Sequence, residues 1–245
     1  MSTPALYSGR RFFPHYHISE VEVTVVRQTM EQLFEQWGLP KYIRVDNGRP
    51  FGDPQRCSIP ELGLWLIGLG VAVVWNRPCS PKDNARVERM QSTTSRWTEV
   101  EQCSGCTELQ AKLDRAATLQ REHYQVRRLG AKSRKQVYPQ LWNNSNIYKR
   151  KEAFDINRVC TYLSQVRFTR KTNKLGAFTF YAQRVYAGSS HIHQTLCLQY
   201  DVDRNCFCLT DQAGIIIGYV QADNFNAENV LSLNVCQNRY LIAQT

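Results

Sequence analysis

Apolar residues recur at helical spacing in Val23, Val26, Met30, Leu33, Phe34 and Trp37, which predicts an amphipathic helix with that stripe in the core. Ser19-Glu-Val-Glu22 has the form of a capping box, so the helix is expected to start there. Gly38 and Pro40 are its stop signals. Tyr42-Ile-Arg-Val45 reads as a short strand with Asp46 at its carboxyl end and Asn47-Gly48 as the turn. A second capping box, Ser58-Ile-Pro-Glu61, opens a helix buried through Leu62, Trp65, Leu66 and Leu69 and closed by Gly70. Residues 71–75 are nearly continuous in apolar side chains, the pattern of a strand covered on both faces. Pro78 and Pro81 hold an extended loop. Asp83 or Asn84 then caps a helix that carries Glu88 in its second turn, with Val87, Met90, Thr94 and Trp97 facing inward. Thr107-Glu-Leu-Gln110 opens a helix over 107–128, apolar along Leu109, Leu113, Ala116, Ala117 and Tyr124. Ser133-Arg-Lys-Gln136 opens a short helix stopped by Pro139, and residues 142–148 read as a linker.

From Asp155 onward the period changes to two. Segments 159–164, 166–169, 177–181, 195–200, 206–210 and 214–220 predict short strands. Asp203-Arg-Asn and Asp211-Gln-Ala-Gly214 are hairpin turns between them. A small all-β barrel is the expected result. Near the other end, the aromatic run 10–18 predicts one more strand. His15 and His17 share a face of it and read as surface histidines.

A chain of 245 residues, 42% of them hydrophobic, has room for one large domain or two small ones and for a packed core. No apolar run approaches the roughly 20 residues that span a bilayer, and the first residues lack the apolar core of a secretory leader. A cytoplasmic protein without a membrane segment is expected. Nine Cys, an odd count at irregular spacing, suit a reducing compartment better than a disulfide framework. Cys103-Ser-Gly-Cys106 is a lone CxxC and reads as free thiols.

Charge changes the picture more. Thirteen Lys or Arg and only two acids, Glu152 and Asp155, lie between Arg127 and Lys174, so this window carries +11 while the rest of the chain sums to −1. A concentrated basic stretch points to a polyanion, and nucleic acid is the first candidate. Arg167, Arg170, Lys171 and Lys174 fall on the first hairpin of the expected barrel, where phosphate contacts give salt-sensitive affinity.

Asp46 and Glu88 each have an ordinary reading, as a turn residue and as a helix-dipole partner. Taken together they mean more. The run Tyr-Ile-Arg-Val-Asp46-Asn-Gly-Arg-Pro-Phe51, then Leu-Gly-Leu-Trp-Leu-Ile-Gly-Leu-Gly-Val71, then Asn-Arg-Pro78-Cys-Ser-Pro-Lys-Asp-Asn-Ala-Arg-Val-Glu88-Arg resembles the integrase catalytic core of the DDE transposases. It is most similar to the branch that holds retroviral integrases and IS481-like transposases. The resemblance covers about residues 5–145 and extends through Arg127-Arg128-Leu-Gly, Lys132-Ser-Arg and Tyr138-Pro.

The resemblance implies an α/β fold, a ribonuclease H-like integrase core followed by a small SH3-like barrel. The domain limits expected from it are a partial core over 1–105, a helical and basic linker over 106–150 and the barrel over 151–245. It implies a DNA recombinase that cleaves and joins phosphodiesters with two Mg²⁺ or Mn²⁺ ions held by three acids. Asp46 matches the second acid and Glu88 the third, as catalytic and metal-binding residues. Lys82, Asn84, Arg86 and Arg89 would position DNA, with Arg127, Arg128, Arg167, Arg170 and Lys171 as further DNA contacts. Hard cations take carboxylate oxygens, and paired ions stabilise the attacking and leaving oxygens of an in-line displacement at phosphorus. The implied partners are the ends of a mobile element, target DNA and further copies of the chain. Ala85 departs from the family's usual Gly. No Asp precedes Asp46, so the first acid and its strand are expected to be missing, as in an amino-terminally truncated reading frame inactive as it stands. The alternative is a non-catalytic DNA-binding remnant or regulator.

Overall fold

A computed structural model describes residues 22–52, 58–77, 80–83, 85–142, 153–236 and 240–242. The expected strand over 10–18, with His15 and His17, and the linker over 143–148 lie outside the described residues. The chain divides into two compact units that interleave along the sequence: one takes Met1–Leu39 and Asn76–Tyr148, the other Pro40–Trp75 and Lys149–Thr245.

In the first unit, helix α1 (Val23–Trp37) buries Val26, Met30 and Phe34, one turn apart. Gly38, at φ 76°, ends it by donating its N–H to Phe34 O at 2.7 Å. The second turn of the chain into helix comes at α3 (Ala85–Thr98). Thr94 and Thr98 are buried, but Val87 is 40% exposed and does not face inward. Helix α4 (Cys106–Thr118) starts at Cys106 and runs into a wide turn over Leu119–His123, closed by Tyr124 N–H on Leu119 O at 2.7 Å. Regular helix therefore ends ten residues short of the expectation, with Tyr124 exposed rather than on a buried side. The wide turn frees Gln120 O, which accepts from Arg134 Nη1 at 2.6 Å. Gln120 Nε2 in turn donates to Thr94 Oγ1 at 2.9 Å and ties α4 to α3. Helix α5 (Arg134–Val137) begins with the complete capping box expected of Ser133 and Gln136.

The second unit is built around helix α2 (Glu61–Gly68), which joins strand β1 (Tyr42–Val45) to strand β2 (Ala72–Trp75). The strands pair in parallel, Tyr42 opposite Ala72 through Val45 opposite Trp75. Parallel neighbours need such a crossover helix. Every residue of α2 after Glu61 is buried, and Leu62, Leu64, Trp65 and Leu66 have no exposed surface. Each of those side chains contributes about 1.5–3 kcal/mol by leaving water. The helix starts after Pro60 with no side-chain cap; Glu61 Oε1 instead accepts the Cys236 N–H at 2.8 Å. Contrary to expectation, β2 is covered on one face only. Ile43, Val45 and Val73 are buried, on the side where α2 packs against β2, while Tyr42, Arg44, Ala72 and Val74 are exposed.

The remaining strands of this unit are β3 (Arg167–Lys171), β4 (Ala177–Phe180), β5 (Gln183–Tyr186), β6 (Thr195–Asp201), β7 (Cys206–Thr210), β8 (Ile216–Gln221) and β9 (Tyr240–Ile242). They form an antiparallel sheet in the order β3-β6-β7-β8 and a mixed sheet in the order β4-β5-β9. Neither closes on itself among the described residues, so the expected barrel is observed as two open sheets. Residues 159–164 are not a strand. They belong to helix α6 (Ile156–Ser164), capped by Asp155, whose side chain accepts the Asn157 N–H at 2.9 Å. Val159 and Leu163, one helical turn apart, are fully buried. The start of α6 is tied to the end of α2, where Gly68 O accepts from Asp155 N–H at 2.9 Å and Arg158 Nη1 at 3.1 Å.

An aromatic cluster forms the core between these sheets: Phe168, Phe180, Tyr181, Tyr200, Phe207 and Phe225, with ring centroids 4.8–6.2 Å apart. Tyr181 and Ala182, at φ 46° and 61°, make the β4–β5 turn. The Tyr181 hydroxyl accepts the Ile59 N–H at 2.9 Å and donates to Ile59 O at 3.0 Å. It thereby fastens the start of α2 to a hairpin far along the chain. Helix α7 (Ala227–Leu231), capped by Asn226, completes the unit. No described helix is long and apolar enough to cross a membrane.

Candidate functional site

Asp46 follows β1 directly, at its carboxyl end, and is exposed. Ligands in α/β sheets gather outside such ends. The Asp46 Oδ1 accepts the Gly48 N–H at 3.1 Å, an Asx turn. The loop then folds back tightly. Gly48 O accepts from Phe51 N–H at 3.1 Å and Gly52 N–H at 2.8 Å. A Cβ on Gly52 would lie 2.3 Å from the Asn47 carbonyl carbon, so only glycine lets the two backbones approach this closely. From the other strand, Trp75 Nε1 donates to Phe51 O at 2.8 Å. The indole of β2 thus anchors the loop that presents Asp46.

Glu88 is the fourth residue of α3, in its first turn rather than its second, and is exposed. Arg89 beside it is exposed too, as is Lys82 in the short 3₁₀ turn Pro81–Asp83 just before the helix. Arg86 lies on the first turn of α3, and Asn84 lies outside the described residues. Asp46 belongs to the second unit and Glu88 to the first. Carboxylates are hard donors that suit Mg²⁺ or Mn²⁺. Among the described residues no cluster of three or more His, Cys, Asp or Glu side chains has the arrangement of a metal site.

The basic residues divide into two kinds. Arg127 and Arg128 are exposed on a 3₁₀ turn, Arg127–Leu129. Arg167 and Lys171 are exposed on β3, on the face shared by alternate residues. Arg170 points the other way. Its guanidinium sits 4.8 Å over the Phe180 ring and donates to Thr179 O at 3.0 Å. All three lie on β3, but β3 pairs with β6 and β4 with β5, so the expected first hairpin does not form, and Lys174 is exposed in the turn that follows β3. Arg170 is thus committed to packing, a role that residue type alone does not reveal.

The seven described cysteines are free thiols. Cys103 is half-buried and Cys106 exposed. Reasoning from the sequence missed Arg77, which grips Asp83, and Tyr200, whose hydroxyl lies 2.7 Å from Asn205 Oδ1 and 3.5 Å from Cys160 Sγ. Burial is the main cause that raises the Tyr200 pKa far above the usual phenol range. No family model matches the sequence.

Proposed function

We propose that this protein is a DNA recombinase of the DDE type by descent, with Asp46 and Glu88 as two of the three carboxylate ligands of Mg²⁺ or Mn²⁺ and no Asp before Asp46 to serve as the first. The observation that supports it is an exposed Asp46 closing the first strand of a parallel β–α–β unit, followed by an exposed Glu88 in the first turn of the next helix. Exposed Lys82 and Arg89 flank the second acid. Bound cations would supply charge neutralisation at a DNA phosphate. Asp46 and Glu88 would hold them, and Lys82, Arg86, Arg89, Arg127, Arg128, Arg167 and Lys171 would bind the DNA backbone. The implied partners are DNA and further copies of the chain. The ribonuclease H-like core and the SH3-like form of the carboxyl-terminal sheets belong to the same proposal.

The exposed Arg127, Arg128, Arg167 and Lys171, which could bind phosphate without either acid, favour a second reading, a DNA-binding protein without chemistry. One titration separates them. Affinity for a labelled duplex DNA is measured by fluorescence anisotropy in EDTA and in Mn²⁺, for the protein and for Asp46→Asn and Glu88→Gln. The recombinase reading expects tighter binding in Mn²⁺ and loss of that gain in both variants. A gain indifferent to both acids leaves only the second reading. Absence of DNA binding, or binding independent of salt, removes both.

A further inference from the structure

We infer that Asp83, held by Arg77, is a positioning residue that sets how Lys82 and the first turn of α3 meet DNA; this rests on the DNA reading above. The Asp83 carboxylate receives three bonds from one residue, six positions earlier. Arg77 Nε donates to Oδ2 at 3.2 Å and Nη2 to Oδ1 at 3.0 Å, a two-point fork. The Arg77 backbone N–H adds a third bond, to Oδ2 at 3.1 Å. The Asp83 N–H donates to Ser80 O at 3.0 Å and closes the 3₁₀ turn. Asp83 is 12% exposed in its side chain, against 76% for Arg77. The acid is thus the packed member and the arginine its clasp.

This tie encloses Lys82 and ends just before Ala85, where α3 starts. The 3₁₀ turn that Asp83 closes packs against α3, so holding Asp83 bears on how the first turn, with Glu88 and Arg89, is presented. Exposed ion pairs alone contribute little. Here, however, the bonds converge in fork geometry, and the backbone N–H has no side-chain rotamer freedom to lose.

The two roles an acid can play near DNA predict opposite signs. An Asp acting only through its charge repels phosphate, so its removal tightens binding. An Asp that positions cations weakens binding when removed. The test is duplex-DNA affinity across a salt series for Asp83→Ala, Arg77→Ala, the double variant and the exchanged pair Arg77→Asp with Asp83→Arg. Thermal melts confirm that each variant is folded. We expect Asp83→Ala to weaken binding about threefold or more, with strong non-additivity in the double variant. The slope of log affinity against log salt should stay unchanged for Asp83→Ala, since no phosphate contact is lost; losing one flattens it by about 0.9. The exchanged pair should recover affinity relative to Asp83→Ala. If Asp83→Ala binds as well as or better than the unaltered chain while Lys82→Ala and Arg89→Ala weaken binding, the positioning role is wrong and the DNA reading survives. If the unaltered chain does not bind DNA, both fall.

Discussion

Replacing Tyr181 by Phe removes a single oxygen, yet it should loosen the unit that carries Asp46. The hydroxyl both accepts from and donates to the backbone of Ile59, 122 positions away, at 2.9 and 3.0 Å. Tyr181 is 5% exposed and Ile59 6%, so neither amide group of Ile59 has ready access to water once the oxygen is gone. The phenyl ring keeps its edge contacts with Phe180 and Phe225, both at 4.8 Å between centroids, which leaves the hydroxyl as the only loss. An orphaned buried donor or acceptor costs about 1–3 kcal/mol. Two such groups, with half-buried Ser58 next in the chain as a route for water, set the expected cost near the low end, about 2–3 kcal/mol. Because the chain forms two units, a global melt can mix their transitions. Hydrogen exchange at the start of α2 reads the right one. If opening follows the lost stability, the Ile59 amide should exchange about 30- to 150-fold faster. Tyr181→Ala, which also empties the ring's place, should lose about 3–5 kcal/mol. Exchange at Ile59 unchanged in Tyr181→Phe would refute the reasoning, since it would mean that the hydroxyl does not bind α2 to the hairpin.

Other outcomes follow from the same contacts. Gly52→Ala places a Cβ 2.3 Å from the Asn47 backbone, so the loop after Asp46 must open at a cost of about 1–3 kcal/mol; an unchanged urea midpoint would contradict the tight turn. Trp75→Phe frees Phe51 O and should speed exchange across residues 48–52 while β1 and β2 stay protected. The Ser104 hydroxyl and N–H, together with Lys112, hold the Glu108 carboxyl down at about 2, well below the usual carboxylate range. Its folded pKa is depressed, so the stabilisation is full above the unfolded value, about 4.3, and is lost as pH falls from there through about 2. A carboxyl titration by NMR should show this midpoint, and Ser104→Ala should move it upward; no movement would sink the assignment. Removing Arg167 and Lys171 together should flatten the salt slope of DNA binding by about 1.8, whereas Arg170→Ala should mainly cost stability through its lost contact with Phe180.

Local signals along the sequence determine much of this protein. The stripe of α1, its end at Gly38, the capping box at Ser133, the strand 206–210 and the turns at Asp203 and Asp211 all stand where periodicity, capping and turn chemistry put them. Each depends on residues within a turn or two of one another. Asp46 at the carboxyl end of a short strand was legible in the same way. Segment 156–164 was not, because a short amphipathic stretch fits either period; its Asp155 cap and the burial of Val159 and Leu163 one helical turn apart decide for helix. Strands β5 and β9 and helix α7 were missed, having too few residues to show a period. Only the tertiary structure decided that α2 is buried on all sides, that β2 keeps one face in solvent and that Arg170 serves packing while Arg167 and Lys171 face water. Those outcomes depend on partners beyond the local turn, such as Tyr181 for the start of α2 and Phe180 for Arg170. A pattern read along one strand of sequence carries no record of what the fold lays across it.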